Sequence, residues 1–81
     1  MTDKKTRFDV GEMVRFEGTH LIQEDNGAKR MVMTTLPRTG VIIKVLALNA
    51  MGLEHQVLEI YSDNEVCIVR TGMPDTIITL V

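Results

Sequence analysis

The chain has 81 residues, enough for one domain with a modest core and too few for an enclosed substrate cavity of ordinary size. Nine basic and eleven acidic residues, well mixed, leave a formal charge of −2, which argues against a protein that coats nucleic acid through a basic field. Cys67 is alone, so no intramolecular disulfide is available, and no apolar run approaches a membrane span or a signal peptide. A lone thiol on such a chain leads to the expectation of a cytoplasmic protein. Six Met and three aromatics (Phe8, Phe16, Tyr61) promise an adaptable interior with few stacking platforms.

Residues 1–7, "MTDKKTR", are expected to form a frayed or disordered tail, the alternative being a basic arm that touches a phosphate or an acidic partner. Residues 8–81 form the single domain. From Val10 the text alternates with period two: Val14 and Phe16 share one face, Met13 and Arg15 the other, and Gly18 ends the strand. The strongest local signal is Asn26-Gly27 in "EDNG", a pair that accepts positive φ at both central positions of a tight hairpin turn. Residues 19–23 and 28–35 are therefore expected to pair as a projecting β-arm, about residues 19–36, with Pro37 stopping the return strand.

The next stretch, "TGVIIKVLALNAMG", predicts a strand with Val41, Ile43, Val45 and Ala47 on one face and Lys44 on the wetter one. A helix competes across residues 44–59, but Gly52 and the Val/Ile density favour strand. "EHQVLEIYSDN" follows with Leu58 and Ile60 inward and Glu59 outward, turning at residues 62–64 into "EVCIVR". "TGMPD" reads as one 3₁₀ turn, and "TIITLV" closes the chain as a strand. Five short strands with one long excursion after the first predict an all-β fold, a small closed or nearly closed barrel, because an open sheet of this composition would leave edges and an apolar face in water.

That order of elements resembles the Src-homology-3-like barrel. Residues 17–38 stand at the first long loop, 48–53 at the second, 62–64 at the distal turn, and "GMPD" at the 3₁₀ turn before the last strand. "VGEMVRF", "TGVIIKV" and "VLEIYSDN" are similar to segments of short barrels found in bacteriophage and bacterial genomes, with Tyr61 where those sequences often carry Trp. The resemblance covers residues 8–80 and implies a fold, not an activity. It also implies mechanical roles: Gly11 for the turn into the first strand, Glu12 as acceptor of backbone N–H groups there, Gly40 for a sharp bend.

No catalytic or metal constellation stands out, and no cofactor is expected. Cys67 lies mid-strand between Val66 and Ile68 with no neighbouring cation in sequence to hold a thiolate, so it reads as an inert buried thiol. His20 and His55 begin no ligand spacing, Glu54 and His55 point to opposite strand faces, and residues 63–65 read as a polar turn more readily than a calcium loop. Gly spacing in "GTHLIQEDNG" matches no phosphate loop. The first loop and "GMPD" supply Met31, Met33, Leu36 and Met73 but no aromatic, so a groove for proline-rich peptides is not expected.

Two binding readings remain. "RMVMTTL" is too apolar for a ribbon standing in water, and a two-stranded ribbon is marginal alone. Met31 and Met33 share one face; Val32, Thr34 and Leu36 share the other. Either this arm folds over its own barrel or it docks on a protein partner, another copy included. The contact surface would be Leu21, Ile22, Met31, Val32, Met33 and Leu36, with Lys29 and Arg30 as rim charges. Such a protein would be a non-catalytic phage or bacterial accessory module. The alternative is RNA or DNA binding through Lys29, Arg30, Arg38 and Arg70, weakened by Glu24 and Asp25 across the same turn and by the lack of a stacking aromatic on the arm.

Overall fold

The computed structural model describes residues 7–50 and 53–81, with backbone alone for 48–50 and 53–54. Five antiparallel strands form one sheet: β1 (Met13–Gln23), β2 (Lys29–Ala50), β3 (Leu53–Ser62), β4 (Glu65–Arg70) and β5 (Thr76–Leu80). No helix occurs among the described residues, so the competing helix across 44–59 does not form. The strand order is β2-β3-β4-β1-β5, and β2 pairs additionally with β1. The hydrogen-bonded ladders thus lead from β2 through β3, β4 and β1 back to β2. Tyr61 pairs with Val66 and Val41 across neighbouring strands, on the solvent-facing side.

The core follows the period-two text where the register is regular. Ile42, Ile60, Cys67 and Ile22 stand directly opposite one another across β2, β3, β4 and β1, and all four are buried. Val14, Phe16, Leu58, Val69 and Phe8 complete the buried set, with Val32, Val45 and Ile78 packed against it. Leu58 and Ile60 point inward as expected. Ile43 does not. The β2–β3 register slips between Ile42 and Lys44, so Ile43 has no partner on β3 and turns to solvent while Ile42 takes the core position. One extra residue is enough to change which side chains of that strand face the core.

A second irregularity reshapes the arm. β1 and β2 run straight through the region expected to be a separate loop, and Pro37 does not end the return strand. Phe16 pairs with Arg38 and Gly18 with Thr34, leaving one residue on β1 against three on β2. Thr34 Oγ1 accepts from Leu36 N and donates to the Leu36 carbonyl, tightening the extra residues into a bulge that accommodates Pro37. Leu36 is thrown outward at 75% exposure instead of sharing the inner face with Val32. Nor does the arm project freely. Leu21, Ile22 and Gln23 pair with Ile68, Cys67 and Val66 of β4, which ties the β1 half of the arm to the sheet.

Turn chemistry also differs in detail. At the arm tip Gly27 N donates to the Glu24 carbonyl, Glu24 N donates to the Ala28 carbonyl, and positive φ falls on Gly27 but not on Asn26. This is a three-residue loop ending in a left-handed residue. The two-residue turn with both central residues left-handed is Asp63-Asn64, at φ 51° and 63°, between the paired Ser62 and Glu65. Residues 71–75 form hydrogen-bonded turns, Thr76 N donating to the Met73 carbonyl, without a 3₁₀ helix. Near the N-terminus, Asp9 N donates to Glu12 Oε1 at 2.7 Å, the role expected of that carboxylate. Of the tail, residues 1–6 lie outside the described residues and Arg7 is exposed.

Glycine is needed where backbones meet. A Cβ on Gly18, at φ +102°, would run into the Asp75 carbonyl, and one on Gly40 would meet the Tyr61 carbonyl and Ile60 Cγ2. Both sites lie where β1 or β2 passes a neighbour too closely for a side chain. The core assignment has a direct consequence for stability. In urea denaturation, Leu58→Ala should lose about 2–5 kcal/mol, whereas Ile43→Ala, of similar hydrophobicity but outward, should lose well under half of that.

Candidate functional site

The arm surface is built from the solvent-facing residues of β1 and β2. Met31 lies opposite Leu21, and Leu21 opposite Ile68, giving an apolar row three strands wide; Met33 lies opposite Thr19. Met31 and Met33 are each 72% exposed, Leu21 and Ile68 partly so. Leu36 joins them at the bulge. Ile22, by contrast, is 4% exposed and belongs to the core row, and Val32 packs against that core. These two residues face inward because they alternate with the exposed ones, so the sequence-derived surface contracts to Leu21, Met31, Met33 and Leu36.

Along residues 29–35 only one edge of β2 is paired, and that pairing is to β1; its other edge meets no described strand. A second exposed apolar group, Met13, Leu80 and Val81, lies where β1 meets the end of β5, with Val81 N bonded to the Met13 carbonyl at 3.1 Å. There β1 is paired on both sides, to β2 and β5, so backbone donors and acceptors are already used.

Of the four cations proposed for nucleic acid, Arg30 and Arg38 are held by carboxylates and converge on Glu65. Arg38, only 17% exposed in its side chain, donates through Nη2 to the Ser62 carbonyl at 3.0 Å and to Glu65 Oε1 at 3.1 Å, with Asp63 at 3.6 Å. It ties β2 to the β3–β4 turn. Arg30 donates to Glu24 Oε1 at 2.8 Å and lies 3.9 Å from Glu65. Lys29 is exposed at the arm tip and Arg70 at the end of β4. Beside the arm tip, an open cleft of about 470 Å³ is lined by Gln23, Glu24, Asp25, Asn64, Glu65 and Val66, an acidic surface.

The burial of three polar residues, His20, Gln56 and Ser62, is not foreseen in the sequence analysis. Gln56 binds the backbone of Phe8 at both ends, accepting from Phe8 N at 2.8 Å and donating to the Phe8 carbonyl at 2.9 Å. Its own N–H donates to Thr71 Oγ1 and its carbonyl accepts from Thr71 N. One side chain therefore imitates a strand partner for the N-terminal segment. Ser62 Oγ donates to the Thr39 carbonyl at 2.8 Å. His20 packs its ring edge-on against Phe16 at 5.3 Å, and its Nδ1 lies 3.1 Å from the Gly18 carbonyl. A carbonyl only accepts, so Nδ1 carries the proton, and Nε2 is a buried acceptor with no partner among the described residues. All three fall on the inward phase of their strands, where a polar residue among apolar neighbours is the signal.

Burial pushes the His20 pKa down from its ordinary 6.5; the Gly18 hydrogen bond opposes this, Arg38 adds to it and Glu65 opposes it. Burial likewise pushes the Cys67 thiol up, away from thiolate character, with Arg38 opposing. Among the described residues no three His, Cys, Asp or Glu side chains gather as a metal ion would require, and no helix is long and apolar enough to cross a membrane. No protein-family model, curated protein or solved structure matches the chain significantly.

Two measurements check this geometry. The folded state binds a proton at His20 less readily than the unfolded chain does. The stability that this group contributes is therefore complete above about pH 6.5 and declines as pH falls below that value towards the depressed folded pKa. Chemical denaturation of His20→Leu between pH 5 and pH 7 should show a shallower loss than the parent. Second, Arg38→Gln should cost about 1.5–3 kcal/mol through its charge-assisted hydrogen bonds, whereas Arg70→Gln should change stability by no more than about 0.5 kcal/mol.

Proposed function

We propose that the protein is a non-catalytic binding module that acts through protein–protein contacts made by the exposed face and free edge of its arm. One observation carries this reading: Met31, Met33 and Leu36 stand largely in water beside a strand edge whose N–H and C=O groups have no described partner. Edge strands in soluble proteins are usually blunted by charge, proline or a bulge. Here Lys29, Arg30, the bulge and Pro37 blunt the two ends of the segment and leave Met31–Met33, apolar on the outer face, as the short stretch open to another strand. Large exposed apolar surface on a small domain points the same way.

The fold behind this reading is a Src-homology-3-like barrel. Support comes from the return of the ladders to β2, from the pairing of β5 with β1, and from the tight two-residue β3–β4 turn. The sequence resemblance to short phage and bacterial barrels makes a phage or bacterial accessory protein of the cytoplasm the fitting biological setting. Nucleic-acid binding is the weaker alternative, because Arg30 and Arg38 are engaged by Glu24 and Glu65 and the neighbouring cleft is acidic.

A photo-crosslinking residue at Met33, irradiated in extract of the organism that carries the gene, should give a protein adduct, of this chain or another. The same residue at Ile43, exposed but outside the arm, should not. Adducts with nucleic acid alone, or none above the Ile43 background, overturn the reading.

A further inference from the structure

The methionines of this chain are not where an adaptable interior would put them. Met13, Met31, Met33 and Met73 are all exposed, and the buried apolar set contains no methionine. Met1 and Met51 lie outside the described residues. The thiol of Cys67 is buried in the core row, so the sulfur that solvent can reach among the described residues is thioether sulfur. We infer that Met31 and Met33 form an oxidation site for hydrogen peroxide and other oxygen-donating, two-electron oxidants, and that their conversion to sulfoxides removes the apolar surface of the arm while the fold persists. The chemistry is independent of the contact reading; its consequence for binding rests on it.

Geometry singles out this pair. Each is 72% exposed, against 49% for Met13 and 41% for Met73. Met13 also stands between two strands, opposite Val41 on β2 and beside Val81, whose N–H its carbonyl accepts. Met31 and Met33 have β1 on one side only, so solvent reaches them from the face of the sheet and from its open edge. In the reaction the sulfur lone pair attacks one peroxide oxygen, an S–O bond forms, the O–O bond breaks, and the second oxygen leaves as water after proton transfer. The thioether loses two electrons and the peroxide gains them. In the reverse direction a dithiol reductant takes the sulfoxide oxygen away as water and becomes a disulfide.

The sulfoxide oxygen is a polar acceptor, and burying it against a partner without a donor is unfavourable. The row Ile68–Leu21–Met31 would then end in a polar group, with a second one at Met33, two residues along the same strand. Methionine oxidation commonly disrupts cores. Here neither sulfur belongs to the core, so the added oxygen alters the outer face and leaves Ile22, Cys67, Ile60 and Ile42 in place.

Limiting hydrogen peroxide, followed by peptide mass mapping with fragmentation, should add one oxygen each to Met31 and Met33 several-fold faster than to Met13 or Met73. The oxidised protein should keep its circular dichroism and urea midpoint but lose retention on a hydrophobic-interaction column. A Met31→Leu, Met33→Leu protein treated identically should keep its retention. Oxidation of Met13 or Met73 at an equal or greater rate, loss of the fold while only Met31 and Met33 carry oxygen, or an equal loss of retention by the double variant overturns the inference. A photo-crosslinking residue at Leu36 separates the inference from the reading beneath it. Capture of a protein in extract that falls several-fold after oxidation, but not on the Met31→Leu, Met33→Leu background, supports both. Equal capture before and after oxidation overturns the inference and leaves the contact surface. No capture in either state overturns the contact reading, while the oxygen map and the retention shift still decide the oxidation site.

Discussion

The antiparallel ladder between β1 and β2 is the element on which the other pairings hang. Once Met13–Gln23 lies along β2, its remaining edge is presented to two different strands, β5 along Val14–Gly18 and β4 along Leu21–Gln23. The far part of β2 meanwhile carries β3, which carries β4. A single long strand pair thereby brings both ends of the described domain and the central hairpin to one interior. The bulge at Gly18 and Thr34 lets this happen without flattening: it adds residues to one strand only, which increases local twist and bends the ribbon over its own apolar side.

Polar groups close what the strands leave open. Arg38 reaches across to the Ser62 carbonyl and Glu65, and Gln56 holds the backbone of Phe8 as a neighbouring strand would. Each replaces a missing ladder contact with side-chain hydrogen bonds, so the buried backbone is satisfied where regular pairing stops. This explains why cations that look alike in the sequence are not equivalent. Arg38 is committed to holding two parts of the sheet together, while Lys29 and Arg70 are on the surface.

Strand identity is legible in the sequence because alternation with period two is imposed by the pleat, and Val14, Phe16, Leu58 and Ile60 obey it. Ile43 and Leu36 break the expected phase because each occupies a bulge. A bulge depends on how many residues the partner strand supplies, which one strand's own text does not contain. Asn26-Gly27 carries the usual mark of a two-residue hairpin, yet Asp63-Asn64 holds that geometry. The pairing of Glu24 with Ala28 fixes a longer loop at the arm tip, and tertiary register overrides local preference. Of the candidate surface, the outward methionines can be read from their alternation. The free edge beside them cannot, since it depends on which strands lie next to it in space.

The Asp63-Asn64 turn has a consequence for how the chain reaches this state. Loop-closure entropy grows with the length of chain enclosed, so β3 and β4, joined by two residues, can zip together early. β1 and β5 bring Val14 to Leu80 and enclose almost the whole chain. Topology of this kind makes closure the slow event, and until β5 arrives one edge of β1 stands uncovered. The interval before that last strand docks is when the molecule is most exposed to mispairing with its neighbours.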